Sequence, residues 1–405
     1  MSDLPVLKLK SREDRRLRQG HLWIYSNEVD TGATPLKALE PGSEVIVQAA
    51  NGRPFGRALV SPHSLICGRL FSRDPAQGLD QALMVARLEA ALALRERFYP
   101  GTGCYRLFYG DADGLSGVAI DRYRDRVVCQ IATVGMERRK DMLVDALNKV
   151  LAPRTIVFKH DAGARDAEGL AKYVEVVGET PDELVGLEEN GVEFLAPITG
   201  GQKTGWFYDH RENRARVAAL AAGQRVLDVF CYTGGWGLQA LARGADSLLA
   251  VDGSVPALEV LERNAAHQGV ADRVSIQRGD AFAVLEQLAD AGERFGVVVI
   301  DPPALVKRKK DLRAGQHGYQ RLARLGMRLT AQDGMLLFAS CSQQYTPEML
   351  RDTLRGAARH VERHAQLLGL WGHGPDHPVH PAISETDYLC AGLVRVRASG
   401  IGGAI

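Results

Sequence analysis

The stretch Leu227–Gly237, "LDVFCYTGGWG", decides how this chain is read. An apolar run ends in an acid, then passes through a glycine-rich turn into a helical pattern. Glycines at 234, 235 and 237 let backbone approach a ligand where a side chain would stand in the way. The turn is not the G-x-G-x-x-G of dinucleotide binders, and no Lys-Ser/Thr pair follows as in a P-loop. The next apolar run, "SLLAVD", ends in Asp252, at about the 20-residue offset where an acid meets ribose hydroxyls in sheets of this type. The run after it, "RVSIQRGD", ends in Asp280. Any one of these acids is commonly a helix cap. Asp228, Asp252 and Asp280 in series, beside a glycine turn with no phosphate motif, point to a nucleoside lacking a pyrophosphate. S-adenosylmethionine is the candidate.

Working outward, the pattern from about Gly223 is regular. Strand "RVLDVF", helix 235–243, strand "SLLAVD", helix 256–268, strand "RVSIQRGD", helix 281–291, strand "FGVVVIDPP", helix 317–331 and strand "GMLLFASCS" follow one another. Such alternation predicts a parallel sheet with helices on both faces. Upstream the character differs. "SEVIVQAANGRPFGRALVS" holds two strands around Asn51-Gly52, a strong hairpin signal, and "SLICGRLFS" supplies another, so a small β-rich module is expected there. A helix over "LDQALMVARLEAALALRERFY" precedes a meander over "YRLFYGDADGLSGVAIDRYRDRVVCQIAT". A helix near 136–150 and strands at "TIVFK", Lys172–Val177 and "VEFLAP" complete a mixed α/β middle third. The expected division is 1–75, 76–195 and 196–405. The segment "YLCAGLVRV" reads as an edge strand that could pair within the sheet or across a homodimer.

The whole chain has 405 residues, 45% apolar, with a formal charge of +1. Near-neutrality confines any nucleic-acid surface to local patches. One candidate is the opening run Lys8, Lys10, Arg12, Arg15, Arg16 and Arg18, which on charge alone reads equally well as RNA contact or as a solvated lead-in. Six scattered cysteines form no CxxC pair and no metal-like cluster, so no metal is expected. They have the look of reduced cytosolic thiols. No signal peptide or membrane span is evident, which predicts a soluble, cytoplasmic protein.

Three further motifs carry chemistry. In "VVVIDPPALVKRKK" a buried strand ends in Asp301-Pro302-Pro303; two prolines cannot continue a ladder and would hold a loop rigid, with Asp301 facing a planar heterocycle. The basic run Lys307, Arg308, Lys309 and Lys310 follows, placed to meet phosphates, although such runs are often solvated loops. In "FASCS", Cys341 closes a strand. Most lone cysteines are inert small hydrophobes, but one at the carboxyl end of a strand next to the DPP strand is a candidate nucleophile. Finally, "GGQKTGWFYDHRENR" places Lys203, Tyr208, Asp209 and Arg211 more densely than a linker needs.

In this order and spacing these residues resemble a family, the bacterial 5-methylcytosine methyltransferases of large-subunit ribosomal RNA, typified by ribosomal RNA large subunit methyltransferase I. "REDRRLRQGHLWIYSNEV" looks like the opening of that family's RNA-binding PUA domain. "LFYGDADGLSGVAIDRY" looks like its central α/β domain. "GQKTGWFYDHRENR", "DVFCYTGGWG", "VDGS", "GDAF", "DPPAL", "FASCS" and "DHPVHPAISETDYL" look like its Rossmann-like methyltransferase domain. The resemblance implies that Gln202, Lys203, Thr204, Tyr208 and Arg211, with Asp228, Phe230, Tyr232, Thr233, Gly234 and Gly235, surround S-adenosylmethionine. Asp252 would hold the ribose and Asp280, with Ala281, the adenine. Asp301 would border the cofactor and face the target base, and Cys341 would be the nucleophile. Pro302, Pro303, Lys307–Lys310, Arg15 and Arg16 would touch the RNA, either naked or in an assembling particle. Cys231 departs from the family's serine and adds a second thiol near the cofactor; Cys390 stands where a polar residue is common.

The implied chemistry is covalent catalysis. Cytosine C5 is a poor nucleophile until a thiolate adds at C6. The target nucleotide must leave any stack to be reached. Ala304 after the two prolines cannot stack on a base, which argues against adenine amino-group methylation. Three rivals stay open: uridine-C5 methylation by the same thiol logic, guanine methylation without it, and a non-catalytic RNA-binding assembly factor.

Overall fold

Buried parallel strands appear in sequence as near-continuous apolar runs, and the runs after residue 223 are such strands. The computed structural model describes residues 4–161 and 163–398. By its internal packing the chain divides into two units. One comprises Met1–Val185, Pro197–Trp206 and Pro375–Thr386; the other comprises Gly186–Ala196, Phe207–Gly374 and Asp387–Ile405.

In the first unit, β1 (Val6–Lys8), β2 (Trp23–Tyr25), β3 (Glu44–Gln48), β4 (Pro54–Val60) and β5 (Ile66–Ser72) form a sheet of order β1-β3-β4-β5-β2. Its core includes Leu7, Ile24, Val45, Val47, Val60 and Leu70. A second sheet, order β10-β9-β8-β7-β6, is built from β6 (Cys104–Tyr109), β7 (Val118–Tyr123), β8 (Arg126–Ile131), β9 (Thr155–His160) and β10 (Tyr173–Gly178). Helices Gln81–Phe98 and Lys140–Leu151 pack on one face of it, and Leu59 and Phe71 of the first sheet join the same core. Asp80 caps the longer helix by accepting from the Leu83 amide at 2.9 Å. Two later segments return to this unit. Tyr123 donates its hydroxyl to the Thr204 carbonyl at 3.0 Å, and Arg95 donates to the Asp376 carbonyl at 2.7 Å.

The chain passes to the second unit within a ribbon of β11 (Val185–Glu189) and β12 (Val192–Ala196). The second unit's main sheet holds β13 (Arg225–Val229), β14 (Ser247–Asp252), β15 (Val274–Arg278), β16 (Phe295–Ile300), β17 (Thr330–Ser340), β18 (Arg363–Trp371) and β19 (Cys390–Ala398), in the order β15-β14-β13-β16-β17-β19-β18. The first five are parallel; β19 runs antiparallel to both neighbours. The chain moves outward from β13 to β15, then returns to lay β16 on β13's other side. That reversal is a topological switch point, and sheets of this kind bind ligands beyond the carboxyl ends of the strands there. Two expectations are corrected. β19 is not an edge strand, because β18 lies outside it. The helix expected over 317–331 starts at Leu312 and ends at Leu329, where β17 begins.

Candidate active site

The glycine turn after β13 is held in an uncommon backbone shape. Phe230 (φ 63°) and Tyr232 (φ 50°) occupy the left-handed region, a conformation that costs a non-glycine residue on the order of 1–3 kcal/mol. The Phe230 and Cys231 amides both donate to the Val251 carbonyl, at 2.9 and 3.2 Å. The Tyr232 amide donates to Asp252 Oδ2 at 3.0 Å, and Asp252 Oδ1 accepts from the Ser254 amide at 2.8 Å. Asp252 therefore ties the turn to the tip of β14. The glycines have other duties than backbone approach alone. Gly234 sits at φ 90°, and a Cβ on Gly237 would lie 2.4 Å from Leu248 Cδ1, so Gly237 lets the helix Gly235–Ala242 close onto β14.

Asp228 is fully buried, with Oδ2 accepting from the Gly237 amide at 3.0 Å. Its other oxygen, and Thr233 Oγ1, are buried with no hydrogen-bond partner. Burial, reinforced by the Asp301 and Asp252 carboxylates, pushes the Asp228 carboxyl up to about 7. Asp280 is exposed and caps the helix Ala281–Asp290, accepting from the Ala283 amide at 3.1 Å.

Asp301 stands at the end of β16. Trp236 Nε1 donates to its Oδ2 at 3.1 Å, and His210 Nε2 lies 3.3 Å from its Oδ1. Asn213 Nδ2 faces the other imidazole nitrogen, Nδ1, at 3.3 Å, while Asn213 Oδ1 accepts from Arg216. That orientation makes Nδ1 the acceptor and leaves the ring proton on Nε2. Burial alone would raise the Asp301 carboxyl, but His210 and Trp236 outweigh it and hold the group below the usual carboxylate range.

The thiol lies at the end of the neighbouring strand. Cys341 Sγ is 3.9 Å from the Pro302 carbonyl oxygen, and Cys341 alone among the six cysteines is not buried. Its two flanking hydroxyls turn inward. Ser340 Oγ donates to Tyr319 Oη at 2.9 Å, Tyr319 Oη and Ser342 Oγ are 2.7 Å apart, and the Leu305 and Val306 amides donate to Tyr319 Oη and Ser342 Oγ at 3.3 and 3.1 Å. This buried network fastens the end of β17 to the loop that follows Asp301-Pro302-Pro303. Cys341 is thus the member of "SCS" left facing outward.

Comparison with known proteins places this arrangement. Residues 7–73 match the PUA-like domain family, and residues 153–370 match the S-adenosylmethionine-dependent methyltransferases. The protein named ribosomal RNA large subunit methyltransferase I in Photobacterium profundum is 35% identical over 390 residues, covering 95% of this chain and 97% of that one. Its namesake in Shewanella denitrificans is 35% identical over 396 residues, covering 96% and 99%.

The chain belongs to the ribosomal RNA large subunit methyltransferase I family.

A solved structure of a Streptococcus mutans protein assigned to the SAM-dependent methyltransferases has a TM-score of 0.81 at 19% identity, covering 97% of this chain and 100% of that one. Another, solved with SAH, has a TM-score of 0.83 at 20% identity, with the same coverage. At such identity the likeness concerns the fold. As a ribosomal RNA large subunit methyltransferase I family member, the chain is an S-adenosylmethionine-dependent methyltransferase. The donor set fits that cofactor. Asp228, Asp252 and Asp301 suit a ligand bearing positive charge, and the unpartnered Asp228 Oδ1 and Thr233 Oγ1 await a polar partner.

The remaining residues named from sequence are spread more widely. Tyr208 and Arg211 are buried in the second unit, with the Arg211 guanidinium 5.4 Å from the Tyr208 ring and 3.8 Å from Glu189. Gln202, Lys203 and Thr204 belong to the segment that packs with the first unit. Ala281 is buried at its helix start, Pro302 is buried and Pro303 exposed. Lys307–Lys310 are exposed, with Arg308 3.4 Å from Asp311. Arg15 is exposed. Arg16 is committed locally, 2.6 Å from Glu28 and stacked 4.6 Å from the Tyr25 ring centroid. Cys231 is buried, and burial raises its thiol well above the ordinary value, so the second thiol is a packing group. His210, Trp236 and Tyr319 were given no role from sequence. His210 and Trp236 lie inside quoted motifs, which hinted at one; Tyr319 lies in none. Among the described residues no three His, Cys, Asp or Glu side chains are grouped to hold a metal, and no helix is long and apolar enough to cross a membrane.

Proposed function

We propose that this protein methylates C5 of a cytosine in large-subunit ribosomal RNA, with Cys341 as the nucleophile. The observation that carries the reading is the outward thiol of Cys341 beside the carbonyl of Pro302, the residue that follows Asp301. S-adenosylmethionine supplies the methyl group as an electrophile on a positively charged sulfur. Asp228, Phe230, Tyr232, Thr233, Gly234 and Gly235 are the residues to hold it, with Asp252 for the ribose, Asp280 and Ala281 for the adenine, and Tyr208 and Arg211 around the rest. Asp301 sits between this cradle and the base.

The Cys341 thiolate adds to C6 of the cytosine, and the ring electrons displaced toward C5 make that carbon nucleophilic. Once C5 carries the methyl group, loss of its proton to a base allows the C6–S bond to break and frees the thiolate. Asp301, ionised by its contacts with His210 and Trp236, presents acceptors only. An acceptor suits the cytosine amino group, whereas the uracil O4 at the same place would be repelled, which favours cytosine over uridine. Pro302 and Pro303 fix the corner against which the base lies. Lys307–Lys310, Arg15 and Arg16 are the proposed phosphate-binding residues, Arg16 less freely because of Glu28.

The test is to incubate the protein with labelled S-adenosylmethionine and either naked large-subunit rRNA or assembled subunits, then digest to nucleosides. Label in 5-methylcytidine supports the reading. Label in a methylated guanosine or uridine, or no label, overturns it.

A further inference from the structure

The first unit contains a cavity of about 280 Å³ on the face of its second sheet, away from the two packed helices. Its floor is partly Ala119 and Gln130, cross-strand partners on β7 and β8. Three aromatic rings contribute to its walls, Trp23, Tyr109 and His160, and the first two have spent their polar ends on protein partners. Trp23 Nε1 donates to Asp111 Oδ1 at 2.8 Å, and Tyr109 Oη donates to the Thr386 carbonyl at 2.9 Å. Those two rings are thereby fixed as apolar surfaces. Gln130 Nε2, by contrast, is buried with no hydrogen-bond partner. The ionised side chains lining the cavity balance: Lys159 and Arg165 stand against Asp111 and Glu385.

We propose that this cavity holds an unstacked nucleobase of the RNA, one other than the base that is methylated. The inference rests on the rRNA reading above and goes beyond it. The size and apolar lining suit a small flat ligand. Aromatic walls suit a π-face of any base. The unpaired Gln130 donor requires an acceptor, which every nucleobase carries as a ring nitrogen or a carbonyl. Balanced charge gives the pocket no call for a phosphate, so the phosphodiester stays outside while the base enters.

The experiment uses the full chain with unmodified large-subunit rRNA. Ala119→Leu fills the cavity floor, and Gln130→Leu removes the donor without shrinking the side chain. Each is expected to weaken rRNA binding about tenfold, in the range of one base stack removed, while S-adenosylmethionine affinity is unchanged. At saturating RNA the methyl-transfer rate should stay within about twofold, so the loss falls on KM. Binding within twofold of wild type in both variants, with unaltered thermal midpoints, overturns the proposal. Should either variant fail to fold, photo-crosslinking of wild-type protein to 4-thiouridine-substituted rRNA decides. Adducts on peptides containing Trp23 or Tyr109 support the pocket, and adducts confined to other peptides overturn it. If wild-type protein transfers no methyl to rRNA, the proposed function fails and the pocket reading falls with it. If transfer is normal and the variants bind alike, only the pocket reading fails.

Discussion

A thiol serves as a nucleophile only where a substrate can reach it. Burial pushes Cys67 up to about 12 and Cys390 up to about 11, and raises Cys129 and Cys231 as well. Iodoacetamide on the native protein should therefore modify Cys341 first, as peptide mapping will show; preferential modification of Cys231 would contradict the placement. Cys341→Ala should abolish methyl transfer while S-adenosylmethionine affinity, measured by calorimetry, changes by no more than a few-fold. At Asp301 the neighbouring His210 keeps the carboxyl ionised against burial and the Asp209 charge. His210→Ala should raise that group, so the acid limb of the kcat/KM profile moves to higher pH, and His210→Gln, which keeps a donor, should move it less. Asp228 behaves in the opposite sense. Its carboxyl is raised to about 7 in the folded chain, against about 4 in an unfolded one. The native state then binds the proton more tightly, and stability falls as pH rises from about 4 to about 7. Asp228→Asn should remove that decline, so its gain in thermal midpoint over wild type is larger at pH 8 than at pH 4.5. A pH-independent difference would refute the assignment. The acids at strand ends were legible in sequence because each closes an apolar run. His210 and Trp236 were not, because Trp236 meets Asp301 across 65 residues of chain.

At the scale of elements, the helix Leu312–Leu329 is amphipathic and buries Tyr319 completely. The Tyr319 hydroxyl joins Ser340, Ser342 and the Leu305 amide. Tyr319→Phe keeps the ring and loses those bonds. Denaturant melts should show about 1–3 kcal/mol of destabilisation, since buried donors are left without their acceptor, and the rate of Cys341 alkylation should change as the strand end loosens. Packing is equally exacting at Gly237, where an added methyl group meets Leu248. Gly237→Ala should cost about 1–3 kcal/mol by overpacking, read from the shift in the urea midpoint. Parallel strands β13, β14, β16 and β17 were readable because burial on both faces leaves an apolar run. β18 was not, since no residue of "RHAQLLGLW" at the sheet edge is buried and its first half is polar. The helix Arg211–Ala218, "RENRARVA", is equally illegible: its arginines look solvated, yet Arg211 and Arg214 are buried, with Arg214 2.6 Å from Glu189.

For the whole molecule, near-neutral net charge leaves RNA affinity to local patches, and Lys307–Lys310 form an exposed one. Replacing these four residues with Gln should weaken rRNA binding uniformly and flatten the plot of log affinity against log salt concentration, by close to one in slope for each phosphate no longer neutralised; an unchanged slope would return the run to an ordinary solvated loop. The sequence by itself determined the alternation of strands and helices from β13 to β17, the acid at strand ends and the thiol after β17, because burial and turn chemistry act over a few residues and leave a local pattern. Tertiary structure alone decided that β19 lies inside the sheet, that segments 197–206 and 375–386 pack with the first unit, and that His210 and Trp236 clasp Asp301 while Tyr319 turns two serines inward and leaves Cys341 facing out. Those outcomes are pairings between distant parts of the chain. They depend on which surfaces meet once the sheet has closed, and no short stretch of residues records that.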